Sequence, residues 1–299
     1  MSDQTQIPDP STLLRQLQTD GYVIIRSLLP PELVASLLAA TREVTSLARA
    51  GKWPHVRTVG KQFPPWDASL AVRDGIWGVQ HLMHPSLGPR SALFAQLYFN
   101  PALLSVCSAL LQCGPEELVM ELLNLLVDPP KSFALSWHRD DIPWESTAEQ
   151  EMEVLGRKGY DRHTQYNLSL ADGDESLVVV PGSHLRARTE EERRGDMGGK
   201  EVRARLDSGD VVFYDNNILH RGVYEAGRER MTLHGSVGHV DGAKSRARNV
   251  LQHGIGEWVE GCDFSCLGDG EQRETAEGMR KRLLEMGKEA GDVGYSLQG

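Results

Sequence analysis

No apolar run in this sequence approaches the roughly 18 residues that a membrane-spanning helix needs. The longest, such as "ELLNLLV" at 121–127, are short and interrupted by polar side chains, so no membrane partner is expected. The start of the chain has no basic segment followed by an apolar stretch, as a secretory leader would. Its end, "GYSLQG", carries no retention or peroxisomal tag. A cytoplasmic location is the expectation. Positive charge is also short: 32 Lys and Arg stand against 42 Asp and Glu, a formal net charge of −10. That removes the basic footprint of a nucleic-acid binder, so no nucleic-acid partner is expected. Cysteine is scarce, with four in all, and Cys262 and Cys266 are spaced for neither a C-x-x-C redox pair nor a zinc ribbon. The four read as reduced thiols, mostly in the core.

What is present is enough apolar material, 40 % of 299 residues, for a sizeable core. The pattern predicts a single domain over 1–299, with a helical flank over about 1–115, a β core over about 116–245 and a helical tail over 246–299. The flank opens with a helix, "STLLRQLQTDG", capped by Ser11 and ended by Gly21. A short strand "YVIIRSL" and a second helix from Pro30-Pro31 to about Ala48 follow. Residues 51–75 read as irregular and 90–113 as helical. From residue 116 short strands alternate with turn signals: "LVMELLNLLVD", "SFALSWHRD", "HTQYNLSLAD", "SLVVVPGSH", "EVRARLDSGDVVFYD" and "RMTLHGSVGHV". This is the signature of a mainly β sandwich or barrel. Residues 270–292 form an amphipathic helix. The charged stretches 142–162 and 186–200 are loops of the kind that serve as lids or binding loops, or else plain solvated insertions.

The chemistry concentrates in "ALSWHRDDIPW", 134–144. On a strand, residues two apart share a face, so His138 and Asp140 would present an imidazole and a carboxylate together while Arg139 points away. One further histidine completes the two-histidine, one-carboxylate arrangement of non-haem Fe(II) oxygenases, which leaves positions open. His220, after "GDVVFYDNNIL", is the candidate. Arg230 and Thr232 follow on one strand face, where a guanidinium and a hydroxyl can grip a small carboxylate. A second pair, His239-x-Asp241, lacks such a sequel and reads as two polar residues at the surface. Zinc in a hydrolase is the rival occupant, but it needs a general base beside the metal-bound water, and no further carboxylate stands at suitable spacing.

In order and spacing, "WHRD", "SLVVVPGSH", "SGDVVFYDNNILHRG" and "RERMTLHGS", with "LQTDGYVIIRSLLPPELVASL" before them, resemble the phytanoyl-CoA dioxygenase family of Fe(II)/2-oxoglutarate-dependent oxygenases over about residues 13–240. The resemblance implies a double-stranded β-helix (a cupin-like jelly roll) with flanking N- and C-terminal helices. It implies Fe(II), 2-oxoglutarate and O₂ as cofactors. His138, Asp140 and His220 would match the metal ligands. Arg230 and Thr232 would match the residues on the distal carboxylate of 2-oxoglutarate, and Asn124 a further polar contact to it. Three departures concern the surroundings: Gly222 where many members have Ser, Gln165 or Asn167 where many have Trp, and Gly78 where some have a Lys ahead of the position of Gln80. Gln165, Asn167 and Gln80 are the candidates for the substrate pocket. His184 reads as a structural corner and Trp137 as core. The expected activity is oxidation, foremost hydroxylation, of a small uncharged or lipophilic molecule by a monomer or homodimer. The alternative is a metal-binding jelly roll without oxygenase activity, an isomerase or binding module.

Overall fold

Residues 9–62, 64, 68–157 and 162–291 are described by a computed structural model of the chain. Position 292, the expected end of the tail helix, and residues 158–161 of the first charged stretch lie outside them. Helix α1 (Pro10–Asp20) begins on Asp9, whose carboxylate accepts from the Ser11 backbone N–H at 3.1 Å. Ser11, the expected cap, is already in the first turn. The helix ends at Gly21 with φ 80°, a conformation that favours glycine. A side chain there would also strike the ring of His184, with Cβ only 2.6 Å from Nδ1. His184 in turn contacts the Gln18 carbonyl through Nε2 at 3.1 Å, a corner role.

The chain continues through β1 (Tyr22–Ile25), α2 (Pro31–Arg49), β2 (Val56–Arg57), α3 (Ala68–Asp74), β3 (Gly78–Val79), α4 (Pro89–Tyr98) and α5 (Pro101–Leu111). The one helical stretch expected over 90–113 is thus two helices. Asn100-Pro101 divides them: the proline has no N–H to continue α4, and the Asn100 side chain caps α5 by accepting from Ala102 N at 3.0 Å. Then come β4 (Leu118–Val127), β5 (Phe133–Ala134), α6 (Ala148–Leu155), β6 (His163–Ser169), β7 (Leu177–Val180), α7 (Glu190–Arg193), β8 (Val202–Arg203), β9 (Val211–Tyr214), β10 (Leu219–Tyr224), β11 (Met231–His239), α8 (Lys244–Gln252) and α9 (Glu271–Glu289). Among the described residues no single helix is long and apolar enough to cross a membrane.

The strands form two antiparallel sheets, one of seven strands in the order β1-β9-β6-β11-β4-β3-β2 and one of four in the order β5-β10-β7-β8. This is the expected jelly roll with flanking helices; both edges of the large sheet come from the N-terminal flank, β1 within the expected strand "YVIIRSL" and β2 in a stretch that reads as irregular. The outer side of β4 is sealed by α8 and α9, with Ala276, Met279 and Leu283 fully buried. Apolar burial here supplies the main driving force, roughly 25 cal/mol per Å². The inner side of the large sheet is polar at one level. In register across it lie Asn124, His234 and Asn167, and beside them Ser236, Gln165 and Tyr214. Polar groups buried there need partners, which makes this row the place to look for a site.

Two readings are corrected. The charged stretches are not solvated insertions: they contain α6 and α7 and meet in a buried ionic knot. Glu151 of α6, with no exposed surface, receives Arg188 Nε at 2.9 Å, Arg193 Nη2 at 2.6 Å and Arg139 Nε at 3.6 Å. Nor is His239 a surface residue. It is 2 % exposed, with Nδ1 accepting from Asp241 N at 2.9 Å.

Outside the β core, His55, His81, His84, Trp53 and Trp258 pack ring against ring, with His81 Nε2 at 2.9 Å from the His253 carbonyl. Burial pushes His81 down to about 3, helped by His55 beside it, and His253 down to about 4. An unfolded histidine titrates near about 6.5, so the unfolded chain takes up protons first as pH falls. The stability held by keeping these rings neutral is complete above that value and lost below it, at about 1.4 kcal/mol per pH unit for each ring. Metal-free protein is therefore expected to melt at a markedly lower temperature at pH 5 than at pH 7.5, a window above the carboxylate range. A melting temperature flat across that window would contradict the assignment.

Candidate active site

The two sheets enclose a cavity of about 240 Å³. His138, Asp140 and His220 converge on it from the small sheet. His220 lies on β10 opposite Val179, and His138 is bridged to it by mutual backbone hydrogen bonds, His138 N to His220 O at 3.0 Å and the reverse at 3.1 Å. The expected strand "SFALSWHRD" is regular only over β5. From Ala134↔Val223 to His138↔His220 one side advances four residues and the other three, a one-residue bulge. The bulge resets the alternation, so that Leu135 and His138 both face the cavity.

The ligand atoms of the three residues lie within 4.8 Å of one another. Nε2 of His138 and Nε2 of His220 each stand 3.7 Å from Asp140 Oδ1. Both rings donate Nδ1–H to a backbone carbonyl at 2.8 Å, that of Ser136 and that of Ile218. This fixes the tautomer and leaves each Nε2 lone pair free to bind a metal. Burial, with His138 alongside, pushes His220 down to about 4, so the ring is neutral at physiological pH. Burial opposes the charge of Asp140, but His220, His138 and the Gln165 amide outweigh it and keep its pKa below the ordinary value. Gln165 Nε2 donates to Asp140 Oδ2 at 2.8 Å. Arg139 points away into the ionic knot, as its place between the ligands requires.

Two imidazoles and one carboxylate facing an open cavity fit a divalent iron, and two nitrogens to one oxygen is the set for it. Among the described residues, Asp140 is the only carboxylate lining the cavity. A further carboxylate to serve a zinc hydrolase as general base is not found among the described residues of its walls.

From the large sheet, Arg230 enters the same cavity at the start of β11. Its guanidinium stacks over Tyr224, with Cζ 4.8 Å from the ring centre, and its Nε faces Asp174 Oδ2 at 3.3 Å. Its Nη1 is buried without a hydrogen-bond partner. An orphaned guanidinium nitrogen at a cavity wall fits the distal carboxylate of 2-oxoglutarate. Thr232 is fully buried. Its hydroxyl donates to Asp174 and accepts from Arg230 Nε at 3.3 Å, so it braces the arginine instead of opening onto the cavity. Asn167 and Gln165 line the cavity, the former accepting from His234 Nδ1 at 2.9 Å. Asn124 is 2 % exposed with an unpartnered Nδ2, in register with His234 and between the cavity-lining Leu122 and Leu126, but is not itself part of the lining. Gln80 lies outside the lining: its backbone carbonyl accepts from Trp53 Nε1 at 2.9 Å. Gly222 has a steric reason, since a Cβ there would stand 2.6 Å from the Tyr224 ring that supports Arg230. Asp174, Tyr214 and Arg57 carry no sequence signal of their role beyond a turn-like Asp172-Gly173-Asp174 at the first, and His234, one of several histidines able to line a pocket, has none that singles it out.

The sequence pattern of the phytanoyl-CoA dioxygenase (PhyH) family matches residues 17–224, which include all three converging ligands. The chain belongs to the phytanoyl-CoA dioxygenase family. No curated protein matches the sequence. Solved structures resemble this PhyH chain in fold. AviO1 from Streptomyces viridochromogenes Tue57 is 19 % identical over 78 % of this chain and 96 % of its own, with a TM-score of 0.57. EctD from S. alaskensis, solved with 2-oxoglutarate and 5-hydroxyectoine, is 17 % identical over 80 % and 79 %, with a TM-score of 0.57. The non-haem α-ketoglutarate-dependent epimerase SnoN from nogalamycin biosynthesis is 18 % identical over 76 % and 81 %, with a TM-score of 0.52. At such identities the likeness is one of fold. Arg230 and Thr232 fall beyond the matched PhyH segment, so their placement rests on geometry.

Proposed function

We propose that this PhyH-family protein is an Fe(II)- and 2-oxoglutarate-dependent dioxygenase that hydroxylates a small organic molecule. The observation that carries the reading is the pairing, in one cavity, of the His138–Asp140–His220 ligand set with the orphaned Nη1 of Arg230. His138, Asp140 and His220 would hold the iron, and Gln165 would orient the Asp140 carboxylate. Arg230, braced by Thr232 and Asp174, would hold the distal carboxylate of the cosubstrate. Iron and 2-oxoglutarate bound together supply the O₂-dependent oxidation that yields succinate, CO₂ and a hydroxylated carbon. EctD, solved with 2-oxoglutarate, and the α-ketoglutarate-dependent SnoN support the cofactor choice on this fold. The apolar wall of Leu122, Leu126, Leu135 and Trp77 would exclude water while the substrate is held.

Succinate release that requires both Fe(II) and 2-oxoglutarate tests the reading; its absence with every substrate tried, together with no absorption change when 2-oxoglutarate meets the anaerobic iron protein, would sink it. Because SnoN is an epimerase, the product is to be weighed: one oxygen heavier for hydroxylation, unchanged mass for epimerisation. Arg230→Gln removes one charge-assisted partner, a loss of about 1.5–3 kcal/mol or roughly 10- to 100-fold. The 2-oxoglutarate concentration for half-maximal succinate release is expected to rise accordingly. An unchanged value would move the anchor to another cavity cation.

A further inference from the structure

Among the described residues four arginines border the cavity: Arg57, Arg230, Arg246 and Arg139, the last with its guanidinium turned into the ionic knot. Three have a carboxylate: Arg139 has Glu151 at 3.6 Å, Arg230 has Asp174 at 3.3 Å and Arg246 has Glu121 at 2.8 Å. Arg57 makes no ion pair with any of the described residues, and its Nε is buried with no hydrogen-bond partner. Its Cζ lies 5.3 Å from the centre of the Trp77 ring, and Tyr214 and Tyr224 act on its charge electrostatically. A part-buried guanidinium without a counter-charge loses hydration that an aromatic face only partly replaces. Such a group is set to receive an anion.

The way Arg57 reaches the cavity depends on one glycine. Arg57 on β2 is in register with Gly78 on β3. A Cβ at position 78 would stand 3.2 Å from Arg57 Cδ and 3.3 Å from Arg57 Cβ. The missing side chain lets the arginine stem cross the strand into the cavity, where a lysine at 78 would compete for the same space. The position that departs from the family pattern is thus the one that admits a different cation from the neighbouring strand. Beside it stand Trp77, Leu126 and Leu135, and His234 one strand further on.

We propose that Arg57 anchors a carboxylate of the primary substrate, so that this substrate is a small organic acid with an apolar body. The inference deepens the functional reading above, which leaves Arg230 to the cosubstrate. It replaces the uncharged or lipophilic substrate expected from the sequence. The planar fork of arginine suits a carboxylate bidentately, and the apolar walls suit an alkyl or aryl body.

The test uses binding, not turnover. Straight-chain acids from acetate to decanoate and phenyl-substituted alkanoic acids, each paired with its primary amide, are titrated into metal-free full-length protein by ligand-observed NMR. At least one acid is expected to bind about tenfold or more tightly than its amide. Arg57→Gln should lose that preference with an unchanged melting temperature. Its dissociation constant for 2-oxoglutarate, measured on the anaerobic Fe(II) protein, should stay within about threefold of wild type. Acids and amides bound alike, or no acid bound, would overturn the proposal. So would acid binding that survives Arg57→Gln and vanishes in Arg230→Gln. A loss of 2-oxoglutarate affinity in Arg57→Gln as large as the loss for the acid would assign Arg57 to the cosubstrate and overturn it too. Since this readout needs no catalysis, a protein that binds acids through Arg57 but releases no succinate refutes only the oxygenase reading.

Discussion

Asp140→Ala is expected to abolish stoichiometric Fe(II) binding and, with it, all 2-oxoglutarate-dependent succinate release. Asp140 is the single anionic donor in the ligand set, and Oδ1 stands 3.7 Å from both ligand nitrogens. Without it, two neutral imidazoles face a divalent ion in a cavity whose other walls carry no carboxylate among the described residues. Loss of an outer partner alone costs such sites about 10- to 100-fold in metal affinity, so loss of the ligand itself should exceed that range. Gln165→Leu supplies the comparison. It removes the 2.8 Å hydrogen bond to Oδ2 and leaves the ligands in place, so its iron affinity should fall within about that 10- to 100-fold range. Anaerobic iron titration followed by succinate assay orders the three proteins. An Asp140→Ala protein that takes up iron and turns over like wild type removes the assignment altogether. His239→Ala, at the other His-x-Asp pair, should leave iron binding intact.

Why the ligands were legible and their supports were not follows from how each is encoded. His138 and Asp140 sit two apart in sequence, and His220 announces itself by following a turn and a β-branched strand; these are local patterns. Even so, His138 reaches the cavity face only through a bulge that strict alternation does not predict. The wider frame was legible for the same reason: strand periodicity and turn residues outlined the strands from β4 onward, except β10 (Leu219–Tyr224), which carries His220 and follows a polar corner with no alternation of its own. What stayed hidden is partnership across the fold. Asp174, ahead of β7, meets Arg230 and Thr232, at the start of β11, only through the tertiary fold. Arg57 lies in a stretch that reads as irregular, and it gains the cavity through a neighbour that has no side chain. His239 reads as a surface residue because neither a further strand nor an Arg-x-Thr follows its pair, yet it ends a strand that is buried along almost its whole length.

Glu151 shows the largest consequence of that hidden partnership. Glu151→Gln is expected to destabilise the protein by about 3–5 kcal/mol, the range for breaking a buried ion pair from one side. The carboxylate is fully buried and takes Arg188 Nε at 2.9 Å, Arg188 N at 3.0 Å, Arg193 Nη2 at 2.6 Å and Arg139 Nε at 3.6 Å. The amide keeps the shape but supplies no charge, so Arg139 and Arg188, each with a side chain 1 % exposed, lose their main compensation. The effect should reach the iron site. Arg139 lies between His138 and Asp140 in the chain, and its guanidinium ties that segment to the Asn217 and Arg186 carbonyls. Weaker iron binding should therefore accompany the lower urea midpoint. The exposed pair Arg42–Glu229 gives the control: with side chains 53 % and 46 % exposed, Glu229→Gln should change stability by less than about 1 kcal/mol. Equal urea midpoints for the two variants would mean that α6 and α7 are held to the jelly roll by apolar contacts such as Trp144 and Met197, and not by the ionic knot.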